Sequence, residues 1–247
     1  MNLALQGKKV LVAGGGGGLG TAMCNAFAAE GAEVFSICRN RPNFEQSGIH
    51  WQSCDITNKS ECNKLAAELL ELTHNQLDVL ICNVGSGRGK SESIPDDSEW
   101  QRLWDINFSG TLNFLRLFEN ALNRAGGNAI LVGSIAGLEK VGSPTPYSVA
   151  KSAIVTLGKE LSHKWGPNVR VNVIAPGNIY VEGGVWDMKM KENPIAVHEM
   201  LEQKVPLKRF GKPQEIADLA LFISSEKAAF ITGSCIVIDG GQTTFFH

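Results

Sequence analysis

No stretch of this sequence is long and apolar enough for a membrane. No window approaches the roughly 20 apolar residues a spanning helix needs, and residues 1–10 reach a strand-like segment without the apolar core of a secretory signal. No two cysteines are spaced C-x-x-C. The six, at 24, 38, 54, 62, 82 and 235, are scattered, which argues against a zinc site and a disulfide framework. Such thiols suit a reducing compartment, so a cytoplasmic location is expected. Neither charge dominates: 23 basic against 25 acidic residues leave a net charge of -2. There is no basic stripe for nucleic acid and no acidic tail. The five histidines are too dispersed to suggest a metal. Tyrosine is scarcest, with only Tyr147 and Tyr180.

What is abundant is glycine, with 27 residues that cluster and so point to turns and phosphate loops. With 43% hydrophobic and 19% charged residues, the composition is that of a soluble globular enzyme. A chain of this size hides roughly 70–75% of its unfolded surface.

Short β-branched runs alternate with longer helical patterns, the signature of βαβ units and a parallel sheet. Strands are expected over 8–13, 33–38, 50–54, 78–83, 128–134, 170–175 and 234–238. Helices are expected over 21–30, closed by Gly31, and over 58–74, with Leu65, Leu69 and Leu72 on one stripe. Further helices should span 97–125, 147–165 and 213–224. Residues 135–146 read as a loop, and 178–209 fit no clean period and read as an irregular or helical insertion. No linker, repeat or composition break interrupts the chain. The expected fold is α/β: one Rossmann-type domain over 1–247, with a doubly wound, seven-stranded parallel sheet in a three-layer α/β/α arrangement.

Gly14 to Gly18 is an unbroken glycine run, followed by Leu19 and Gly20, directly after the first strand and at the start of a helix. Glycines let a backbone approach phosphates, and a helix N-terminus offers free N–H groups and a positive dipole. The run matches two registers, Gly15-x-Gly17-x-x-Gly20 and Gly14-x-x-x-Gly18-x-Gly20. A P-loop is excluded, because Thr21 stands where its lysine is needed. Tyr147 and Lys151 lie four apart on one helix face. Ser134 ends the fifth strand at the carboxyl edge of the sheet, and Asn107 lies within the helix 100–117.

In these motifs the chain resembles the short-chain dehydrogenase/reductase family, in its compact single-domain branch typified by 3-oxoacyl carrier-protein reductases. Gly14-x-x-x-Gly18-x-Gly20 fits that family's cofactor loop, and Cys82-Asn83-Val84-Gly85 its Asn-Asn-Ala-Gly strand end. Asn107, Ser134, Tyr147 and Lys151 fit its catalytic tetrad, and Pro176-Gly177 and Val237-Ile238-Asp239-Gly240-Gly241 are also typical. The resemblance implies an NAD(P)-dependent oxidoreductase that needs no metal. In it Tyr147 exchanges a proton with the carbonyl or alcohol oxygen, and Ser134 orients that oxygen. Lys151 lowers the Tyr147 pKa and holds the nicotinamide ribose, and Asn107 anchors a water leading from Lys151 to solvent. It implies a cofactor site made of Gly14, Gly16, Gly17, Gly18, Leu19, Gly20, Arg39, Asp55, Ile56, Asn83, Val84, Gly85, Tyr147, Lys151, Pro176, Gly177 and Ile179. Asp55 would bond the adenine amine, and it equally fits a helix N-cap. It also implies a homotetramer, with helices 100–117 and 147–165 at one interface.

Four positions depart from the family pattern. Ala13 replaces a threonine, a loss of about 1 kcal/mol of hydrogen bonding. Cys82 and Val84 replace Asn and Ala, and Val181 replaces a threonine that contacts the carboxamide, leaving Ile179 backbone groups as donors. The second strand ends Cys38-Arg39-Asn40-Arg41 without an acid, so NADP(H) is favoured over NAD(H).

Residues of about 178–210 correspond to the family's substrate lid. Gly183-Gly184 reads as a hinge, and Trp186 as a surface for a sugar or acyl chain. Lys189, Lys191, Arg88 and Lys90 read either as solvated cations or as contacts for an anionic group. The substrate expected is a small molecule: an oxoacyl thioester, a sugar or polyol, or a ketone. Two alternatives stand beside this, a catalytically silent NADP(H)-binding sensor or structural protein and an epimerase of the longer branch. The paired Tyr147 and Lys151 speak against the first, and the short chain and glycine spacing against the second.

Overall fold

The strands expected from β-branched runs all form, in register, as one sheet. A computed structural model describes residues 2–90 and 92–245, so Ser91 of the expected 86–93 loop lies outside the described residues. The strands are β1 (Lys9–Ala13), β2 (Glu33–Ile37), β3 (Ile49–Gln52), β4 (Val79–Cys82), β5 (Asn128–Val132), β6 (Arg170–Pro176) and β7 (Cys235–Ile238). All neighbours pair in parallel, in the order β3-β2-β1-β4-β5-β6-β7. The order reverses between β1 and β4, and the carboxyl ends of those strands open the crevice in which ligands of such sheets bind.

Helices cover both faces. On one lie α1 (Gly18–Ala29) and α8 (Pro213–Ser224); on the other lie α2 (Lys59–Leu72), α4 (Gly110–Ala125) and α5 (Thr145–Trp165). Alternate strand residues therefore enter different cores. Val10, Val12, Val79 and Ile81 pack with Met23, Phe27 and Ile216; Leu11, Leu80, Ala129 and Leu131 pack with Leu69, Phe114 and Ile154. Burial on both faces explains why the inner strands read as near-continuous apolar runs, while the edge strands β3 and β7 are only partly covered. In α2 the buried positions are Cys62, Leu65, Ala66 and Leu69, while Leu72 is 55% exposed. The expected Leu65-Leu69-Leu72 stripe thus ends one turn early, where the helix runs past the sheet.

The expected 97–125 helix is in three parts: α3 (Asp97–Trp104), a π-turn (Asp105–Ser109) and α4. The expected 135–146 loop opens with a 3₁₀ turn (Ile135–Gly137), and α5 starts two residues before Tyr147, with Pro146 in its first turn. The insertion is ordered as α6 (Val185–Glu192) and α7 (Pro194–Lys204). Its 3.6-residue period was hidden because each helix is short and the two helices bury only Asp187, Val197 and Leu201. Among the described residues no helix is long and apolar enough to cross a membrane.

Candidate active site

Three backbone devices meet at the carboxyl edge of the sheet, and each depends on residues without bulk. The first is the glycine loop. Gly14 turns with a positive φ of 89°, and its amide donates to the Ile37 carbonyl at 2.8 Å. A Cβ on Gly15 would overlap the Ser36 hydroxyl, one on Gly18 the Val181 side chain, and one on Gly20 the Gly14 carbonyl oxygen. Gly16 lies against Cys38, whereas Gly17 faces open space. Gly17 is the N-cap of α1, with no side-chain cap and no acid in the first turn. The first amides of α1, including those of Gly18, Leu19 and Gly20, thus point out of a tight cradle without a side-chain acceptor. That is a fit for an anionic pyrophosphate.

The loop is tied even though Ala13 lacks a hydroxyl. The Asn83 amide nitrogen donates to the Gly14 carbonyl at 2.8 Å, its backbone N–H to Ala13 at 2.9 Å, and the Thr21 hydroxyl to the Gly15 carbonyl at 3.1 Å. Val84 packs directly on Gly14.

The second device is the strand end after β4. A Cβ on Gly85 would stand 2.8 Å from Asn107 Oδ1 and 2.9 Å from Lys151 Nζ, so only glycine lets this loop pass between them. Asn107 is fully buried within the π-turn, a distortion often found at functional sites. Its side chain accepts the Ser86 N–H at 3.0 Å and donates to the Ser86 carbonyl at 3.1 Å and the Leu103 carbonyl at 2.9 Å. The side chain of Asn107 is thus spent on holding the loop.

The third device is Gly137. Its missing Cβ lets the 3₁₀ turn lie on the α5 backbone, where a side chain would meet Lys151 at 2.5 Å. Ser134 accepts the Ala136 N–H at 3.1 Å, so it caps that turn beside Tyr147. Burial raises the Tyr147 phenol above its ordinary pKa, and the Ser134 hydroxyl beside it opposes the rise. Lys151 is 3% exposed, and burial pushes its pKa down to about 8. Its ammonium donates to the Val132 carbonyl at 2.8 Å and lies 5.9 Å from the Tyr147 ring centre. Among the described residues it has no second acceptor, so two of its three donors are left over. Hydroxyls of a bound ribose supply the acceptors such a group needs.

The remaining predicted positions are placed less uniformly. Asp55 is not a helix cap: Asn58 caps α2, and Asp55 accepts from the Thr57 amide and hydroxyl. Those bonds, with a smaller pull from Arg39, hold its carboxyl below the usual range. Ile56 is buried and packs on Gly110. Arg39 and Arg41 are exposed beyond β2, and neither is ion-paired among the described residues. Pro176 is buried at the end of β6, and the Gly177 amide donates to Ile238. Ile179 bridges to Gly211, but through the Asn178 carbonyl and the Tyr180 amide, which leaves its own groups to the site.

In segment 178–210, Gly183 has a positive φ of 68° and Gly184 is the N-cap of α6. The cations read from sequence either as solvated or as anion contacts are already engaged. Lys90 pairs with Asp96, Lys191 with Asp187, Lys189 lies over Trp186, and Arg88 donates to the Gly183 carbonyl. Trp186 itself packs on Phe210 at 5.3 Å.

A family model described as enoyl-(acyl carrier protein) reductase matches residues 14–243. The chain belongs to the short-chain dehydrogenase/reductase family. It is 30% identical to galactitol 2-dehydrogenase (L-tagatose-forming) of Cereibacter sphaeroides, over 98% of this chain and 97% of that protein. The Pseudomonas aeruginosa RhlG/NADP active-site complex superimposes with a TM-score of 0.87 at 26% identity, covering 97% of this chain and 98% of that one. A short-chain dehydrogenase of Leptospira borgpetersenii with bound NAD+ gives 0.85 at 26%, covering 97% and 94%. As a short-chain dehydrogenase/reductase this protein is an NAD(P)-dependent oxidoreductase acting between carbonyl and hydroxyl groups. Gly137 was not singled out in the sequence, because its closeness to the α5 backbone is a tertiary contact. Arg88 was legible only as a solvated cation or an anion contact, because its bond to Gly183 joins distant segments.

Proposed function

We propose that this protein interconverts a carbonyl and a secondary hydroxyl on a small oxoacyl, sugar, polyol or ketone substrate with NADP(H), using Tyr147 as its acid and base. The observation that carries this is the half-buried phenol held between Ser134 and the buried Lys151 ammonium. The cofactor, when bound, supplies or accepts the hydride. Tyr147 gives its phenolic proton to the substrate oxygen on reduction and takes it back on oxidation. Ser134 donates to the same oxygen and orients it. Lys151, by its charge, favours the phenolate and so eases proton donation to the substrate oxygen on reduction. Asn107 holds the Gly85–Ser86 turn beside Lys151.

The N-terminus of α1, the glycines from Gly14 to Gly20, Asp55, Ile56, Asn83 to Gly85, Pro176, Gly177 and Ile179 would hold the dinucleotide. Arg39, exposed and without a direct ion pair among the described residues, favours a 2′-phosphate. We take 1–247 as one domain with 178–210 as its substrate lid, acting in the cytoplasm. A homotetramer is supported by Trp104 and Phe108, tilted against each other with ring centres 4.7 Å apart and half covered, and by Val149, exposed on α5.

The test is nicotinamide absorbance with NADPH and NADH across oxoacyl thioesters, keto sugars and simple ketones. Tyr147→Phe should lower turnover by about 10²–10⁴-fold while NADPH binding stays within a few-fold. A fully active Tyr147→Phe variant on a good substrate would overturn the assignment.

A further inference from the structure

Residues 88 and 183 are 95 positions apart, yet the Arg88 guanidinium donates to the Gly183 carbonyl at 2.7 Å. Both ends of this bond are braced. On the loop side, Arg102 is locked to Glu99 by two bonds of 2.7 and 2.8 Å and donates to the Arg88 carbonyl at 2.9 Å. Glu99 also accepts the Lys90 amide, the Ser86 hydroxyl accepts the Arg88 amide, and Asn107 grips Ser86. The backbone from 86 to 90 is therefore anchored to α3 and the π-turn.

On the other side, Gly183 gives its N–H to Asp187 at 2.9 Å, and Asp187 also accepts from Tyr180 and Lys191, each at 2.7 Å. Asp187 is 3% exposed, so these bonds form a closed hinge. Two residues before the hinge, Val181 packs on Gly18 at the N-terminus of α1. One residue before Arg88, Gly87 faces the Tyr147 ring, and a Cβ there would lie 3.8 Å from the ring carbon bearing the hydroxyl. The Arg88–Gly183 bond thus spans from the loop over the phenol to the segment over the glycine loop.

We propose that Arg88 is a positioning residue, a latch that holds segment 180–193 closed across the mouth between the glycine loop and Tyr147. It rests on the oxidoreductase reading only for what the latch encloses. A carbonyl acceptor at a glycine hinge is suited to this role: a charge-assisted bond closes it firmly, yet Arg88 is exposed and water can replace it on opening. Closure of this kind excludes water and retains ligand, and its release governs exchange.

The test compares the full-length wild type with Arg88→Ala and Arg88→Lys. Hydrogen exchange by mass spectrometry on the ligand-free protein should show about tenfold faster exchange over 180–193 in Arg88→Ala, with α3 unchanged and partial recovery in Arg88→Lys. Stopped-flow release of NADPH should quicken by about five- to tenfold in Arg88→Ala, while single-turnover hydride transfer at saturation stays the same. Unchanged exchange over 180–193 overturns the proposal. So does faster exchange with unchanged NADPH release, because the bond would then be structural only. If the wild type binds no nucleotide, the oxidoreductase reading fails, and hydrogen exchange still decides whether Arg88 holds the segment.

Discussion

Lys151 donates to the carbonyl of Val132 while its ammonium stands 5.9 Å from the ring centre of Tyr147. A buried cation with one acceptor costs the ligand-free fold. With a folded pKa of about 8 against an ordinary 10.5, the unfolded chain binds more protons between those values. Stability contributed through Lys151 therefore rises as pH goes from about 8 to 10.5 and is absent below 8. The span corresponds to roughly 3–3.5 kcal/mol. Urea unfolding of wild type and Lys151→Met should show the wild type gaining about that much on the variant over this window. A constant difference would contradict the depressed pKa.

Gly20→Ala places a methyl on the Gly14 carbonyl, inside the turn that shapes the cradle. Backbone must move, so a loss of about 1–3 kcal/mol is expected. NADPH binding by fluorescence should fall further than stability does, at least tenfold. Gly17→Ala, where a Cβ meets open space, is the matched control for protein-only strain.

Asn83 does the tying that a threonine at 13 does elsewhere in the family. Asn83→Ala removes one donor from the Gly14 carbonyl and should cost about 1 kcal/mol. Asn83→Asp should cost more, because a carboxylate then faces that carbonyl oxygen. Thermal unfolding of both variants checks the order. Equal Tm values for Ala and Asp would deny the bond its importance.

Arg39 decides between the two dinucleotides only if its free guanidinium meets the 2′-phosphate. Arg39→Asp should raise the Kd for NADPH by about 10–100-fold, in line with loss of a charged contact of about 1.5–3 kcal/mol, and leave NADH no weaker. Parallel titrations with both nucleotides measure it. An equal loss for both would mean that Arg39 meets the adenine alone.

The sheet, its seven strands and their sequence positions were legible because β1, β2, β4, β5 and β6 are buried on both faces and all seven are bounded by turn residues. The glycine loop and Tyr147-x-x-x-Lys151 were legible for a related reason: each is a local pattern whose meaning lies within one turn of helix or one tight bend. The π-turn around Asn107 was not, because a single inserted residue leaves the apolar period of 97–125 almost intact. Nor were α6 and α7, whose faces are largely exposed and so leave no stripe to read.

Local chemistry was thus determined by the sequence itself: which residues can cradle a phosphate, carry a proton or cap a helix. Only the tertiary structure decided how those residues are spent. It set Lys151 in a dry site with one acceptor, gave the Asn107 side chain to the Ser86 turn, and turned Arg88 from a candidate anion contact into a bond with Gly183. The physical reason is that desolvation and long-range hydrogen bonds depend on which distant segments meet, and residue spacing along a chain carries no record of that.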